Sequence, residues 1–342
     1  MKNILSCFAG LLLLMSCSRE DSSEPLPQLD NPELELSIPA GFPAFNRGVK
    51  LNMPSKYGVA LGELLFHENK LSGNNTISCA SCHNRTQAFA DNVPQAVGIY
   101  GRVGLRNTPA IQNLAFLNFY NWDGNVLLLE KQPLVPIITH EEMNSSIVEV
   151  MAKLKDVPAY RELLLKAFGD EQLTADRIYR SLAQYMYSLI SVDSKYDQVM
   201  EEKGAQFSES EARGHSVFKS KCATCHSGAL FTDQSFRNIG FPLNPSSEEA
   251  GRGRVTGIPS DYMRFRVPSL RNVAYTAPYG SFGQFKSLME LLDYMDKGVL
   301  SADNLDSIFQ DNGNRLPLSE QEKSDIIAFL HTLSDQGFVG ER

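Results

Sequence analysis

The chain has 342 residues, enough for two domains of ordinary size, with 42% hydrophobic and 21% charged residues, the balance of a globular protein. Its formal net charge is -8 and its pI near 5.4. An acidic chain without a concentrated basic patch repels a phosphate backbone, so nucleic acid is excluded as an expected partner.

Residues 1–17 read as an export signal rather than as fold. Lys2 supplies a positive start, and Ile4 to Leu14 form an apolar run too short for a permanent membrane span. Leu14-Met15-Ser16-Cys17 resembles a bacterial lipobox, in which the cysteine is lipidated; Met15 is a less usual residue there, so simple cleavage is the alternative. Either way the chain is expected to be exported, periplasmic or anchored at the outer membrane by lipid alone. Residues 18–43, rich in Ser, Pro, Glu and Asp, are expected to form a flexible tether.

Beyond residue 50 the pattern is mainly α, with short helices, long loops and no run of alternating strands. Apolar spacing predicts helices over Tyr57 to His67, Ser145 to Leu154, Tyr160 to Phe168, and Thr174 to Ile190 with Thr174 as N-cap. Ser208-Glu209-Ser210-Glu211 and Ser319-Glu320-Gln321-Glu322 match capping boxes, the second opening a last helix to about Leu333. A weak repeat pairs Leu105-Arg106-Asn107 with Leu270-Arg271-Asn272. It divides the chain into 44–205 and 206–342, each with one C-x-x-C-H motif of the kind that attaches haem (Cys79 to His83, Cys222 to His226), and so into two cytochrome c-like domains with one covalent haem each.

The haem expectation rests on Cys79-Ala80-Ser81-Cys82-His83 and Cys222-Ala223-Thr224-Cys225-His226. In a helical turn both thiols and the following imidazole project from one face. The thiols can add to two vinyl groups of one haem while the histidine reaches its iron. A zinc knuckle or a redox dithiol are the rival readings, but neither explains a histidine directly after each pair. The remaining cysteines, Cys7 and Cys17, lie in the export segment, so none is left for a distant disulfide.

From about residue 55 to 335 the chain resembles the bacterial dihaem cytochrome c peroxidase family, which includes the methylamine dehydrogenase maturation enzyme. The resemblance is carried by Leu61-Gly62, Leu71-Ser72-Gly73, Ile77-Ser78 through His83-Asn84, Arg106-Asn107-Thr108-Pro109, Trp122-Asp123-Gly124, Gln132 and Glu141-Glu142-Met143. It continues through Phe231-Thr232-Asp233 and Val267-Pro268-Ser269-Leu270-Arg271-Asn272-Val273. It implies that His83 is the proximal ligand of a haem where hydrogen peroxide reacts, beneath Gln132 and Glu142. It further implies that His226 serves an electron-accepting haem closed by Met295, with Met289 and Met263 as alternatives. Neighbouring Tyr294 matters because the maturation enzyme uses a tyrosine there. The lone tryptophan, Trp122, matches a residue between the haems that mediates electron transfer. Asn107 with the carbonyls of Thr276 and Pro278 matches a calcium site. A small electron donor such as a cytochrome c, and a homodimer, are the implied partners.

The chain departs from the family in two places. No histidine occurs between His83 and His140, where many members carry one that blocks the peroxidatic iron. The stretch Val97 to Gly101 stands there instead, with Tyr100 as a conceivable ligand, so the first haem is expected to be open at rest. Ser281 replaces a histidine common near the second haem; His67, His140, His215 and His331 have no assigned role. Peroxide reduction is the leading expectation. A maturation-type oxidase acting on a protein or organic substrate, and a non-enzymatic dihaem carrier, are the alternatives.

Overall fold

Two helix crossings organise the chain. Helix Lys56–Phe66 packs on helix Ala175–Tyr187, and helix Glu209–Lys221 packs on helix Glu320–His331. Each crossing is closed by a glycine. A Cβ on Gly62 would fall 1.9 Å from the Ser181 carbonyl oxygen, and one on Gly214 would fall 1.9 Å from that of Asp325. No other residue lets two helix backbones approach so closely. The structure, a computed structural model, describes residues 30–242 and 249–340.

The helix starts follow side-chain chemistry read from the sequence. Thr174 accepts from Arg177 N, and Ser208–Glu211 and Ser319–Glu322 form reciprocal capping boxes, each such cap contributing about 1 kcal/mol. Helices Ile147–Leu154 and Pro158–Phe168 also match expectation within two residues. Helix Lys195–Met200, capped by Ser194 and Asp197, was not anticipated. Sheet among the described residues is confined to Phe236–Arg237 paired antiparallel with Phe265–Arg266.

Around each crossing lies one hydrophobic core. The first gathers Leu61, Leu65, Phe66, Phe116, Leu129, Leu182 and Tyr185; the second gathers Phe218, Phe231, Leu288, Leu292, Ile326 and Phe329. The chain passes between them earlier than the expected boundary at 205. Ile190 packs with the first core, whereas the Tyr196 ring lies 4.9 Å from that of Phe231 in the second. The two halves also interlock. Phe338 and Val339, at the C-terminal end, join the first core, with Phe338 5.4 Å from Phe89.

The tether expected over 18–43 is shorter than its composition suggests. Asn31 donates to Ser55 Oγ and the Ala167 carbonyl and accepts from Tyr57 N, and the Phe42 ring packs edge-on against Phe116 at 5.1 Å. A few anchoring side chains outweigh a polar, proline-rich composition. The export segment, its lipobox and the tether up to residue 29 lie outside the described residues.

Candidate active site

The two haem motifs start differently but hold their histidines alike: Cys222 is the C-cap of helix Glu209–Lys221, and its carbonyl accepts from Cys225 N and His226 N. Cys79–Cys82 is a single helical turn capped by Ser78, and His83 ends it. The His83 ring donates from Nδ1 to the Phe89 carbonyl at 2.8 Å; His226 does the same to the Phe231 carbonyl at 3.1 Å. Both phenylalanines have positive φ, 59° and 52°, which turns their carbonyls toward the imidazole. A donor at Nδ1 leaves Nε2 as the ligating atom. Burial pulls both imidazole pKa values down, keeping the rings neutral and able to bind a metal.

Burial also pushes the thiols up, Cys79 and Cys222 to about 12 and Cys82 and Cys225 to about 11. Such thiols are poor thiolates at neutral pH, which argues against a redox dithiol. Among the described residues no group of three or more His, Cys, Asp and Glu could hold a metal, which argues against zinc. Each motif instead forms part of the wall of a large cavity. Two thiols and one imidazole on a mainly apolar wall fit a covalently held haem.

The cavity at Cys79, Cys82 and His83 is lined on other sides by Gln132, Pro136, Glu142 and Trp122. Glu142 is half-buried, and burial, assisted by the neighbouring Glu141 charge, raises its pKa above the ordinary carboxylate value. Gln132 Nε2 is 3.4 Å from Asn121 Oδ1. Glu142 is held through its backbone: its carbonyl accepts from Ile99 N at 2.9 Å, and its N donates to the Thr139 carbonyl. Gly98 makes this possible, since a Cβ there would fall 2.0 Å from the Glu141 oxygen and 2.4 Å from that of Glu142. His83 is the sole histidine of this lining. Tyr100 is 72% exposed with Arg102 stacked on its ring, and is not part of the cavity wall.

The second cavity is lined by Cys222, Cys225, His226, Met263 and Met295. Met289 and Tyr294 are not in its wall. The Tyr294 hydroxyl donates to the Gly240 carbonyl at 2.8 Å, away from it. Trp122 belongs to both walls and is fixed by two bonds: Nε1 donates to the Asn107 carbonyl, and its own carbonyl accepts from Arg266 N. Asn107, Thr276 and Pro278 line the second cavity together, and the Asn107 amide donates to the Val93 carbonyl.

A family model for di-haem cytochrome c peroxidase matches residues 56–205. The chain is 36% identical over 290 residues to the methylamine utilization protein MauG of Methylorubrum extorquens, covering 83% of this chain and 80% of that protein. It is 32% identical over 277 residues to the cytochrome c551 peroxidase of Nitrosomonas europaea, covering 80% and 79%. The chain belongs to the di-haem cytochrome c peroxidase family. Among solved structures, a MauG-like protein associated with microbial copper homeostasis superposes with a TM-score of 0.80 at 29% identity, over 90% of this chain and 97% of that one. Membership of this di-haem family implies two haem c groups, one for each C-x-x-C-H motif.

Within this member of the family the internal repeat has a different register from the one read in the sequence. Asn113 and Asn272, 159 residues apart, both have φ 57° and both precede a short 3-10 turn, Leu114–Phe116 and Val273–Tyr275. Their backbone N–H groups donate to Leu189 and Leu333, just past the equivalent core helices. The bridges Tyr120 to Val126 and Tyr279 to Phe285 keep the same offset. Asn272 therefore pairs with Asn113, not with Asn107. The useful signal was Pro109-Ala110-Ile111-Gln112-Asn113-Leu114-Ala115-Phe116 against Pro268-Ser269-Leu270-Arg271-Asn272-Val273-Ala274-Tyr275, which the shared Leu-Arg-Asn triplet obscured.

Proposed function

We propose that the protein reduces hydrogen peroxide to water, drawing electrons from a small exported electron-transfer protein such as a c-type cytochrome. The observation that carries this reading is the half-buried carboxyl of Glu142 in the wall of the first cavity, which Gln132 also lines; burial raises its pKa. The reaction consumes one peroxide, two electrons and two protons and releases two waters. A haem held at Cys79, Cys82 and His83 supplies the redox chemistry when bound. Glu142, ionised, accepts the proton from the near oxygen of peroxide and returns it to the departing one. The Gln132 amide orients the oxidant by hydrogen bonding. Met295 is the sixth ligand proposed for the second haem, a sulfur that suits a relay of raised potential, and Trp122 is the contact between the two sites.

A second reading, an oxidase that withdraws electrons from a protein or organic substrate, is favoured by the similarity to MauG and by the missing histidine between His83 and His140. The position of Tyr294 outside the second cavity opposes it. A purely electron-carrying role leaves Glu142 and Gln132 without purpose. Export, lipid anchoring at Cys17, a homodimer and a calcium ion at Asn107 with the Thr276 and Pro278 carbonyls complete the proposal. The ferric absorption and EPR spectra, with and without peroxide, test it. One high-spin haem that responds to peroxide, with rapid turnover of reduced cytochrome c, is expected. Two low-spin haems without turnover would refute it.

A further inference from the structure

Two arginines are buried among the described residues, Arg266 and Arg271, and only Arg271 is matched by a carboxylate. Arg106 forms a fork with Glu249 and reaches Asp123, Arg271 binds Asp197, and Arg237 binds Asp233 and Asp306. Arg266 is only 8% exposed and has no acidic partner among the described residues. Its guanidinium makes two long contacts, Nε to the Asn121 carbonyl at 3.3 Å and one terminal nitrogen to the Val267 carbonyl at 3.4 Å. Burial pulls its pKa down to about 10, with only the Tyr120 hydroxyl nearby to oppose that. A cation so placed calls for an anion that the polypeptide does not supply.

Its position says where that anion comes from. Arg266 lies on the short strand Phe265–Arg266, and its backbone N–H donates to the Trp122 carbonyl at 2.7 Å. Like Trp122, it lines both cavities. A haem is an apolar disc with two carboxylates on one edge, so it brings its own anions into whichever cavity it fills. We propose that Arg266 binds a haem propionate at the junction of the two cavities. It thereby orients the cofactor and sets its reduction potential by placing a fixed positive charge beside it. The inference rests on the two haems of the family and not on the choice between peroxidase and oxidase.

A planar fork recognises a carboxylate in a way a point charge does not. The test is therefore a pair of variants in the matured holoprotein, Arg266→Gln and Arg266→Lys, read by spectroelectrochemical titration of each haem and by the propionate-bending bands in resonance Raman spectra. The expected result is that Arg266→Gln retains both covalent haems but lowers the midpoint potential of at least one. Arg266→Lys should lie between Arg266→Gln and wild type. Both variants should shift a propionate band. Potentials and Raman bands identical to wild type in both variants would overturn the proposal. If Arg266→Gln does not mature, the Raman spectrum of Arg266→Lys decides alone, and an unshifted propionate band rejects the contact. The affected haem identifies which cavity supplies the anion.

Discussion

Pro136 and Met295 occupy the same register of two equivalent ten-residue segments, 129–138 and 288–297, and each lines the cavity of its own haem motif. The segments start at Leu129 and Leu288, which hold the 159-residue offset of Asn113 and Asn272, and both leucines are buried. One copy of the repeat thus presents a thioether sulfur, able to coordinate a haem iron, and the other a proline ring that cannot. The two sites differ in chemistry while sharing a backbone plan.

This relationship makes the coordination of the two haems separately adjustable. Met295→Leu should convert the low-spin second haem to high-spin and lower its potential, because thioether ligation raises it. Pro136→Met should reduce the high-spin signal of the first haem and its response to peroxide. EPR of the ferric proteins checks both. A high-spin signal of wild-type size in Pro136→Met would refute the equivalence.

Glu142→Gln should lower peroxide turnover roughly 10²–10⁴-fold, the usual worth of a positioned base, with haem content unchanged. Because the base acts ionised and burial raises its pKa, wild-type turnover should rise with pH through a point above the ordinary value of 4.5. The variant should lack that limb. A pH–rate profile of kcat/KM measures it.

Gly98→Ala would force a Cβ into the Glu141 and Glu142 carbonyls. The Val97–Gly101 loop must then separate from the segment that carries the carboxylate, and turnover should fall although no side chain in the cavity has changed. Stopped-flow peroxide reaction, compared with the ferric spectrum, shows whether Glu142 has moved without loss of haem.

Asp197→Ala should destabilise the protein by about 3–5 kcal/mol, since it leaves the Arg271 guanidinium, 1% exposed, without its partner. Burial alone would raise the Asp197 pKa, but the bonds from Arg271 and Ser194 outweigh it and hold the carboxyl below its ordinary value of 3.8. The depressed value means that the stabilisation is complete above 3.8 and is lost as pH falls toward the folded pKa. Denaturant titrations of wild type and variant at neutral and acid pH report the difference.

Local chemistry carried most of what the sequence determined. Ser208, Ser319 and Thr174 cap the helices they announce, because a cap needs only a side chain and the next three backbone amides. The two C-x-x-C-H motifs identified the cofactor for the same reason: their three functional atoms are fixed by one helical turn. Composition was a poorer guide at the N-terminal side, where Asn31 and Phe42 fasten a segment that reads as tether. What only tertiary structure decided is the difference between the sites. Met295 and Tyr294 are adjacent, and helical geometry sends one to the cavity and the other to Gly240. Arg266 is ordinary in sequence and unmatched only once the fold has buried it without an acidic partner among the described residues. Burial and register are properties of packing between distant segments, so neither can be read from neighbours along the chain.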